Sequence, residues 1–216
     1  MGFTLVEMAV VLVIFGVMIG GLVVPLTAQQ DQRNYTETRL KLNEIREALI
    51  GFAVLNGRLP CPSTQTDPAH ANYGQEDASC TAAVLTEGYL PWKTLGVAEM
   101  DAWGVRRTAS TSPWTGYWRY RVDRNFSVAF ALTTNFSADA LAVQDSGGNL
   151  LSGTERPVFI VYSAGKNLVA DGENADYESA AGLYQSDAVS TAYDDLLIWA
   201  GRPLLMNRMV MAERLP

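Results

Sequence analysis

The chain has very little histidine and cysteine, and its acidic residues outnumber its basic ones. It has one histidine, His70, and two cysteines, Cys61 and Cys80, in 216 residues. A histidine-rich zinc site or a closely spaced redox or zinc cysteine motif is therefore excluded. With 16 basic and 23 acidic residues the net charge is -7. This charge argues against a nucleic-acid-binding protein, because such proteins carry a basic face.

Charge is also missing from the start of the chain, where no charged residue occurs from position 8 to position 30. As a helix this run would extend about 35 Å, enough to cross a membrane. A cleaved secretory signal is the alternative, but it would follow a basic start and usually has a shorter apolar core. The sequence therefore predicts a transmembrane and assembly helix over residues 3–28.

The two cysteines lie in a loop-like stretch rich in Pro, Ser, Thr and Asp. Two unrelated thiols are one interpretation. An isolated pair in the loop of an exported domain more often forms a disulfide, which indicates an oxidising compartment. We expect a bond between Cys61 and Cys80, worth about 3 kcal/mol in the chain-entropy model.

The helical pattern continues beyond the apolar run. Four apolar residues recur at steps of three and four, which places them on one helical face: Leu42, Ile45, Leu49 and Phe52. Asn56-Gly57 is a helix C-cap signal, and Pro60 follows it. The pattern predicts one long helix with a bend near Pro25, a membrane half and an amphipathic half over residues 29–57.

The rest of the chain, residues 58–216, is predicted to be a periplasmic globular α+β domain. Its first part is irregular, and short runs of apolar and β-branched residues follow, separated by turn signals. We expect the long helix to pack on a small antiparallel β-sheet, and the tail 203–215 to form a short helix. The predicted strands are 117–122, 127–132, 140–144, 158–162 and 196–200.

The first residues are similar to those of a known family. Gly2-Phe3-Thr4-Leu5-Val6-Glu7, followed by an uninterrupted apolar helix, resembles the prepilin signature of type IV pilins and type II secretion pseudopilins. The resemblance implies a pilin-like fold and a prepilin peptidase that cuts after Gly2. Residues 1–2 would then be a leader remnant, and Phe3 would become the methylated N-terminus.

The resemblance also implies a role for Glu7. A carboxylate at membrane depth is costly unless it is paired or reaches water. In this family the glutamate is thought to meet the N-terminal amine of a neighbouring subunit during assembly, whereas a snorkelling side chain is the simpler alternative. Gly16 and Pro25 would loosen the helix, although ordinary membrane-helix composition explains them equally well.

The implied function is that of a structural subunit, not an enzyme, in a type IV pilus-like filament or a type II secretion pseudopilus. Its partners would be copies of itself, other pilin-like subunits, the prepilin peptidase, and the inner membrane with its assembly platform, and no nucleic acid. The implied location is a single pass in the bacterial inner membrane, with a periplasmic C-terminal domain and extraction into the filament. A membrane-anchored periplasmic enzyme or binding module is the alternative.

A late acidic loop adds a further resemblance. Asp101-Ala-Trp-Gly and the stretch from Tyr162 to Trp199 look like regions of major pseudopilins, in which such a loop can hold a structural calcium ion. No cofactor is required, and a solvated acidic loop is the alternative to a calcium site. Calcium needs six to eight oxygen ligands, and the candidates here are Asp171, Asn174, Asp176, Asp194 and Asp195.

One motif is similar to an enzyme site. Asp145-Ser146-Gly-Gly looks like the nucleophile stretch of chymotrypsin-like proteases, and the alternative enzyme would use Ser146. A triad needs a histidine base beside the serine, and His70 lies within the Cys61–Cys80 loop instead. A hairpin turn explains these residues more simply.

Overall fold

The computed structural model describes residues 4–81, 87–175 and 182–214, and for 19–26 the backbone alone. The chain divides into two compact units, Met1–Thr36 and Glu37–Pro216. The elements are the helices α1 (Leu5–Asn56), α2 (Trp92–Leu95) and α3 (Arg202–Met211), and the strands β1 (Gly88–Tyr89), β2 (Arg119–Val122), β3 (Ala142–Gln144), β4 (Pro157–Ser163), β5 (Leu183–Gln185) and β6 (Leu196–Gly201).

The larger unit is built on a four-stranded antiparallel sheet with the order β1-β2-β4-β6. Arg119 pairs with Tyr162 across β2 and β4, and Ser163 pairs with Leu196 across β4 and β6. A second, two-stranded sheet joins β3 and β5 in parallel. All seven residues of β4 are buried, so both faces of the central strand are covered.

One side of the main sheet packs on the small sheet. Ile160 and Tyr162 of β4 form a buried cluster with Leu141, Val143 and Tyr184.

Helix α1 lies beside β6. A cleft is lined by the first half of β6 and by three residues of α1, Arg39, Leu42 and Asn43. The buried face of α1 consists of Leu42, Ile45, Leu49 and Ala53, each 1% exposed or less. The helical spacing seen in the sequence is therefore confirmed for Leu42, Ile45 and Leu49, whereas Phe52 is only half-buried.

The sequence predicted most of the main sheet and the last helix. Three predicted strands, 117–122, 158–162 and 196–200, are confirmed as β2, β4 and β6, and the tail forms α3. The predicted strand 140–144 forms β3, but it pairs in parallel with β5 rather than in an antiparallel sheet.

The predicted strand 127–132 is wrong. A 3₁₀ turn, Arg124–Phe126, precedes it, and residues 127–132 have no strand pairing. The side chain of Asp123 explains this difference, because its carboxylate accepts the backbone N–H groups of Asn125 and Ser137. These bonds hold the chain in a turn where the apolar residues alone favoured a strand.

The predicted fold is wrong in its first half, although the molecule is α+β with an antiparallel sheet. In the part of the chain that the structure describes, no helix is long and apolar enough to cross a membrane.

This finding contradicts the membrane half of the predicted pilin-like fold. It also contradicts the predicted location, a single-pass anchor in the bacterial inner membrane with a periplasmic C-terminal domain. The helical segment that belongs to the larger unit, 37–56, is short, and it is amphipathic rather than apolar.

Candidate functional site

The predicted disulfide is present. Cys61 and Cys80 are joined, with their Cα atoms 5.6 Å apart, and both residues are buried. The bond ties the chain after α1 to the loop before β1. Tyr120 of the main sheet donates a hydrogen bond to the carbonyl of Pro60, beside the bridge. The disulfide therefore fixes this loop close to the main sheet.

Glu7 has a structural role that the sequence analysis missed. Its Oε2 atom accepts the backbone N–H of Thr4 at 2.9 Å and the Thr4 hydroxyl at 2.8 Å. The Thr4 hydroxyl oxygen accepts the backbone N–H of Glu7 in return, at 3.3 Å. This is a capping box, and the spacing Thr-x-x-Glu was its signal in the sequence. The bonds from the backbone and hydroxyl of Thr4 lower the pKa of Glu7.

The helix that follows Glu7 presents apolar side chains on all sides. Leu5 is 88% exposed, Val17 is 72% exposed, and every described side chain from Leu5 to Met18 is exposed. A Cβ atom added to Gly16 would meet nothing within 4 Å. Gly2 and Phe3 lie outside the described residues, and Pro25 lies within α1.

Three carboxylates of the late acidic loop meet at one point. Oxygen atoms of Asp171, Asp194 and Asp195 all lie within 4.8 Å of one another. Asp194 and Asp195 directly precede β6, and Asp171 directly precedes a 3₁₀ turn, Gly172–Ala175. Bonds from backbone N–H groups to carboxylates join the two segments: the N–H of Asp171 donates to Oδ2 of Asp195, and the N–H of Asp194 donates to Oδ2 of Asp171.

Other side chains hold this acidic cluster of Asp171, Asp194 and Asp195 in place. The amide of Asn174 donates to Oδ2 of Asp195 at 2.8 Å, and its oxygen accepts the backbone N–H of Gln185. The backbone N–H of Asn167 donates to Oδ2 of Asp194. Gly165 has a φ of +60°, and a side chain there would collide with Asp194. The loop therefore needs glycine at this position.

Burial makes the cluster electrostatically costly. Asp195 is 2% exposed and Asp194 is 7% exposed. Burial, together with the charges of Asp171 and Asp194, raises the pKa of Asp195 to about 7. Burial and the charge of Asp171 also raise the pKa of Asp194. The Oδ1 atoms of Asp194 and Asp195 are buried and have no hydrogen-bond partner among the described residues.

The cluster fits part of the predicted calcium ligand set. Hard cations bind carboxylate oxygens, and two buried Oδ1 atoms without donors are acceptors of the required kind. Asn174 does not offer its oxygen to the cluster, because that atom accepts from Gln185. Asp176 lies outside the described residues. The supporting roles of Asn167 and Gln185 were not predicted, because they arise from contacts between segments far apart in sequence.

Ser146 lies in the predicted turn. Its backbone N–H and its hydroxyl both contact the carboxylate of Asp187, and Asp145 accepts hydrogen bonds from Gly147 and Asn149. His70 belongs to the disulfide loop, where its Nδ1 atom accepts the N–H of Asn72. The structure therefore gives the histidine and the serine different hydrogen-bond partners, and the enzyme alternative stays a hypothesis.

No protein-family model, no curated protein and no solved structure matches this chain. The resemblance to prepilins therefore depends on the residues quoted above, and it stays a prediction.

Proposed function

We propose that this chain is a structural subunit that assembles with copies of itself into a filament of the type IV pilus or type II secretion pseudopilus kind. The exposed apolar helix carries this proposal. A helix that is apolar on all sides is stable in water only when other apolar surface covers it. Copies of the same helix, packed in the core of a filament, would supply that surface.

Glu7 gives the assembly its specificity. It is the only charged residue from position 5 to position 30. Inside a bundle of apolar helices a lone carboxylate is costly, but pairing with a cation offsets that cost. If the chain is processed after Gly2 as the resemblance implies, the new amine of Phe3 on a neighbouring subunit is such a cation. The Thr4 capping bonds would hold the carboxylate close to the helix start.

The experiment separates the charge of Glu7 from its capping role. Glu7→Gln keeps an oxygen that accepts from Thr4 but removes the charge, and Thr4→Val removes the hydroxyl but keeps the charge. Full-length variants would be produced in the host together with the prepilin peptidase, and the sheared filament fraction would be probed for the chain.

We expect Glu7→Gln and Glu7→Leu to abolish incorporation, and Thr4→Val to retain most of it. Retention of the Cys61–Cys80 bond in each variant would serve as the check that the larger unit is folded. Normal incorporation of Glu7→Gln would contradict the proposed pairing. Loss in Thr4→Val alone would mean that capping, and not charge, is what assembly requires.

We also propose that the acidic cluster binds a structural calcium ion. The buried Oδ1 atoms of Asp194 and Asp195 support this, since buried acceptors without a donor are costly and a cation would satisfy both. Asp171 would provide the third carboxylate, and Asn174 would hold Asp195 in place. The ion would join the loop before β5 to the start of β6.

Calcium titration of the full chain in mild detergent tests this second proposal. We expect calcium to raise the melting temperature, because a ligand that binds the folded state stabilises it. Asp195→Asn should abolish that increase. Asp67→Asn, in the disulfide loop, is a matched control that should keep it. An equal response to calcium in the wild type and in Asp195→Asn would refute the site.

A further inference from the structure

The larger unit has an acidic end and an arginine end at opposite ends of β6. Asp195 directly precedes this strand and Arg202 directly follows it. Six residues of strand separate the two ends by about 20 Å. The described residues of 171–195 include five acidic ones and no basic one, whereas positions 202–214 have three arginines and one glutamate. The net charge of -7 is therefore distributed unevenly.

The arginine end contains an apolar groove between α1 and α3. Ile50, Val54 and Met211 are among its lining residues, and its volume is about 330 Å³. Met211 is 74% exposed and the nearby Leu55 is 72% exposed. The guanidinium of Arg214 donates to the carbonyl of Leu55, which holds the ends of the two helices together.

One arginine at this end, Arg208, is available to a partner. Arg208 also lines the groove, and its side chain is 49% exposed. Among the described residues its ion pair is a long contact of 3.6 Å with Glu47, whose side chain is 54% exposed. Such a surface ion pair contributes little to stability and exchanges easily for another partner. The groove thus combines an apolar centre with charged margins, which is the usual anatomy of a protein interface.

The acidic end has the complementary features. Leu168 and Val169 come just before Asp171, and they are 42% and 64% exposed. Leu168 has a φ of +64°, a conformation that is unfavourable for a branched residue. Glu173 follows in the 3₁₀ turn. An exposed apolar pair beside acidic residues therefore lies at one end of the unit, and an apolar groove beside arginines lies at the other.

We infer that the acidic end of one copy docks in the groove at the arginine end of a second copy of this chain. Leu168 and Val169 would enter the groove, and Glu173 would face Arg208. Because the two surfaces differ and lie at opposite ends, the contact is head to tail and repeats from one copy to the next. The inference rests on the proposed function, to which it adds a second subunit contact, outside the apolar helix.

Cysteine cross-linking tests this contact, since the chain has no free cysteine. The full-length variant Val169→Cys with Met211→Cys would be treated with a short bismaleimide in host cells and in the sheared filament fraction. We expect a ladder of covalent oligomers from the double variant, and monomers from each single variant. Mixing the two single variants should give dimers only. Leu132→Cys with Met211→Cys is the matched control, because Leu132 is exposed but its carbonyl accepts from Arg202, so both cysteines lie at the arginine end.

Charge exchange provides an independent readout. Arg208→Glu and Glu173→Lys should each reduce the ladder several-fold, and their combination should restore it, because opposite charges face each other again. Filaments that contain the double-cysteine variant but give no ladder would overturn the inference and leave the proposed function intact. Dimers from a single-cysteine variant would also overturn it. A ladder from a chain that is absent from every filament would support the contact and refute the filament function.

Discussion

We expect the buried carboxylate of Asp101 to make the stability of the larger unit depend on pH. Asp101 is 4% exposed and lies before β2, where it joins three parts of the larger unit. Its carboxylate accepts the hydroxyl of Ser163 at 2.6 Å and the backbone N–H of Trp103 at 2.9 Å. Lys41 of α1 donates to the backbone carbonyl of Asp101, not to the carboxylate.

Burial raises the pKa of Asp101 from 3.8 to about 6, and the bonds from Ser163 and Trp103 oppose this only in part. A raised folded-state pKa means that the folded protein favours the protonated carboxyl. Stability is therefore greatest below pH 4 for this group, and it falls as the pH rises through 6. The whole difference corresponds to about 3 kcal/mol, of which about 2 kcal/mol develops between pH 4 and pH 8.

Asp101→Asn should remove this dependence. The asparagine oxygen can still accept from Trp103, and its amide group can donate to Ser163. We expect the variant to gain about 2 kcal/mol relative to the wild type between pH 4 and pH 8, measured as the free energy of unfolding in urea. Asp123, Asp194 and Asp195 also have a raised pKa, but they are present in both proteins and cancel.

Asp145→Asn is the matched control, because hydrogen bonds from Asn149 lower the pKa of Asp145. This variant should lose stability relative to the wild type as the pH rises, which is the opposite sign. A difference between Asp101→Asn and the wild type that stays constant with pH would refute the reasoning. A difference that grows in favour of the wild type would refute it more strongly.

Three further predictions concern the core of the larger unit. Glu87→Ala should cost about 3–5 kcal/mol of unfolding free energy, because it removes a carboxylate that is 1% exposed and breaks its ion pair with Arg119, 2.6 Å away. Urea unfolding of the variant provides the measurement, and a loss below 1 kcal/mol would contradict it. Leu49→Ala should cost about 2–5 kcal/mol by leaving a cavity under α1; a melting curve checks this, and exposed Leu55→Ala is the control. Replacing both Cys61 and Cys80 by serine should cost about 3 kcal/mol, so that thermal unfolding in the wild type, but not in the variant, responds to reductant.

Local patterns predicted those parts of the fold that depend on neighbouring residues. The spacing of Leu42, Ile45 and Leu49 identified the buried face of α1, and apolar runs identified β4 and β6. The cysteine pair was predicted from its setting and is confirmed. The helix and the strands are predicted by residues that are close together in the sequence. The disulfide is predicted because an isolated pair of cysteines in an exported domain usually forms one.

The remaining features depend on contacts between distant segments. β5 has only three residues, and its parallel pairing with β3 joins positions about 40 residues apart, which no local period encodes. Glu87 is buried because Arg119, Tyr162 and Tyr184 all donate to it. The sequence identified Asp171, Asp194 and Asp195 as candidates by composition and resemblance, but the role of Asn174 in holding Asp195 required the fold.

The most direct test of the proposed function is the intact mass of the chain recovered from its host in the presence of the prepilin peptidase. The proposed function predicts a mass that corresponds to a chain beginning at methylated Phe3, whose amine is then free to pair with Glu7. A mass that retains Met1 and Gly2 would contradict it, and the capping box would then be the only role of Glu7 that the structure supports.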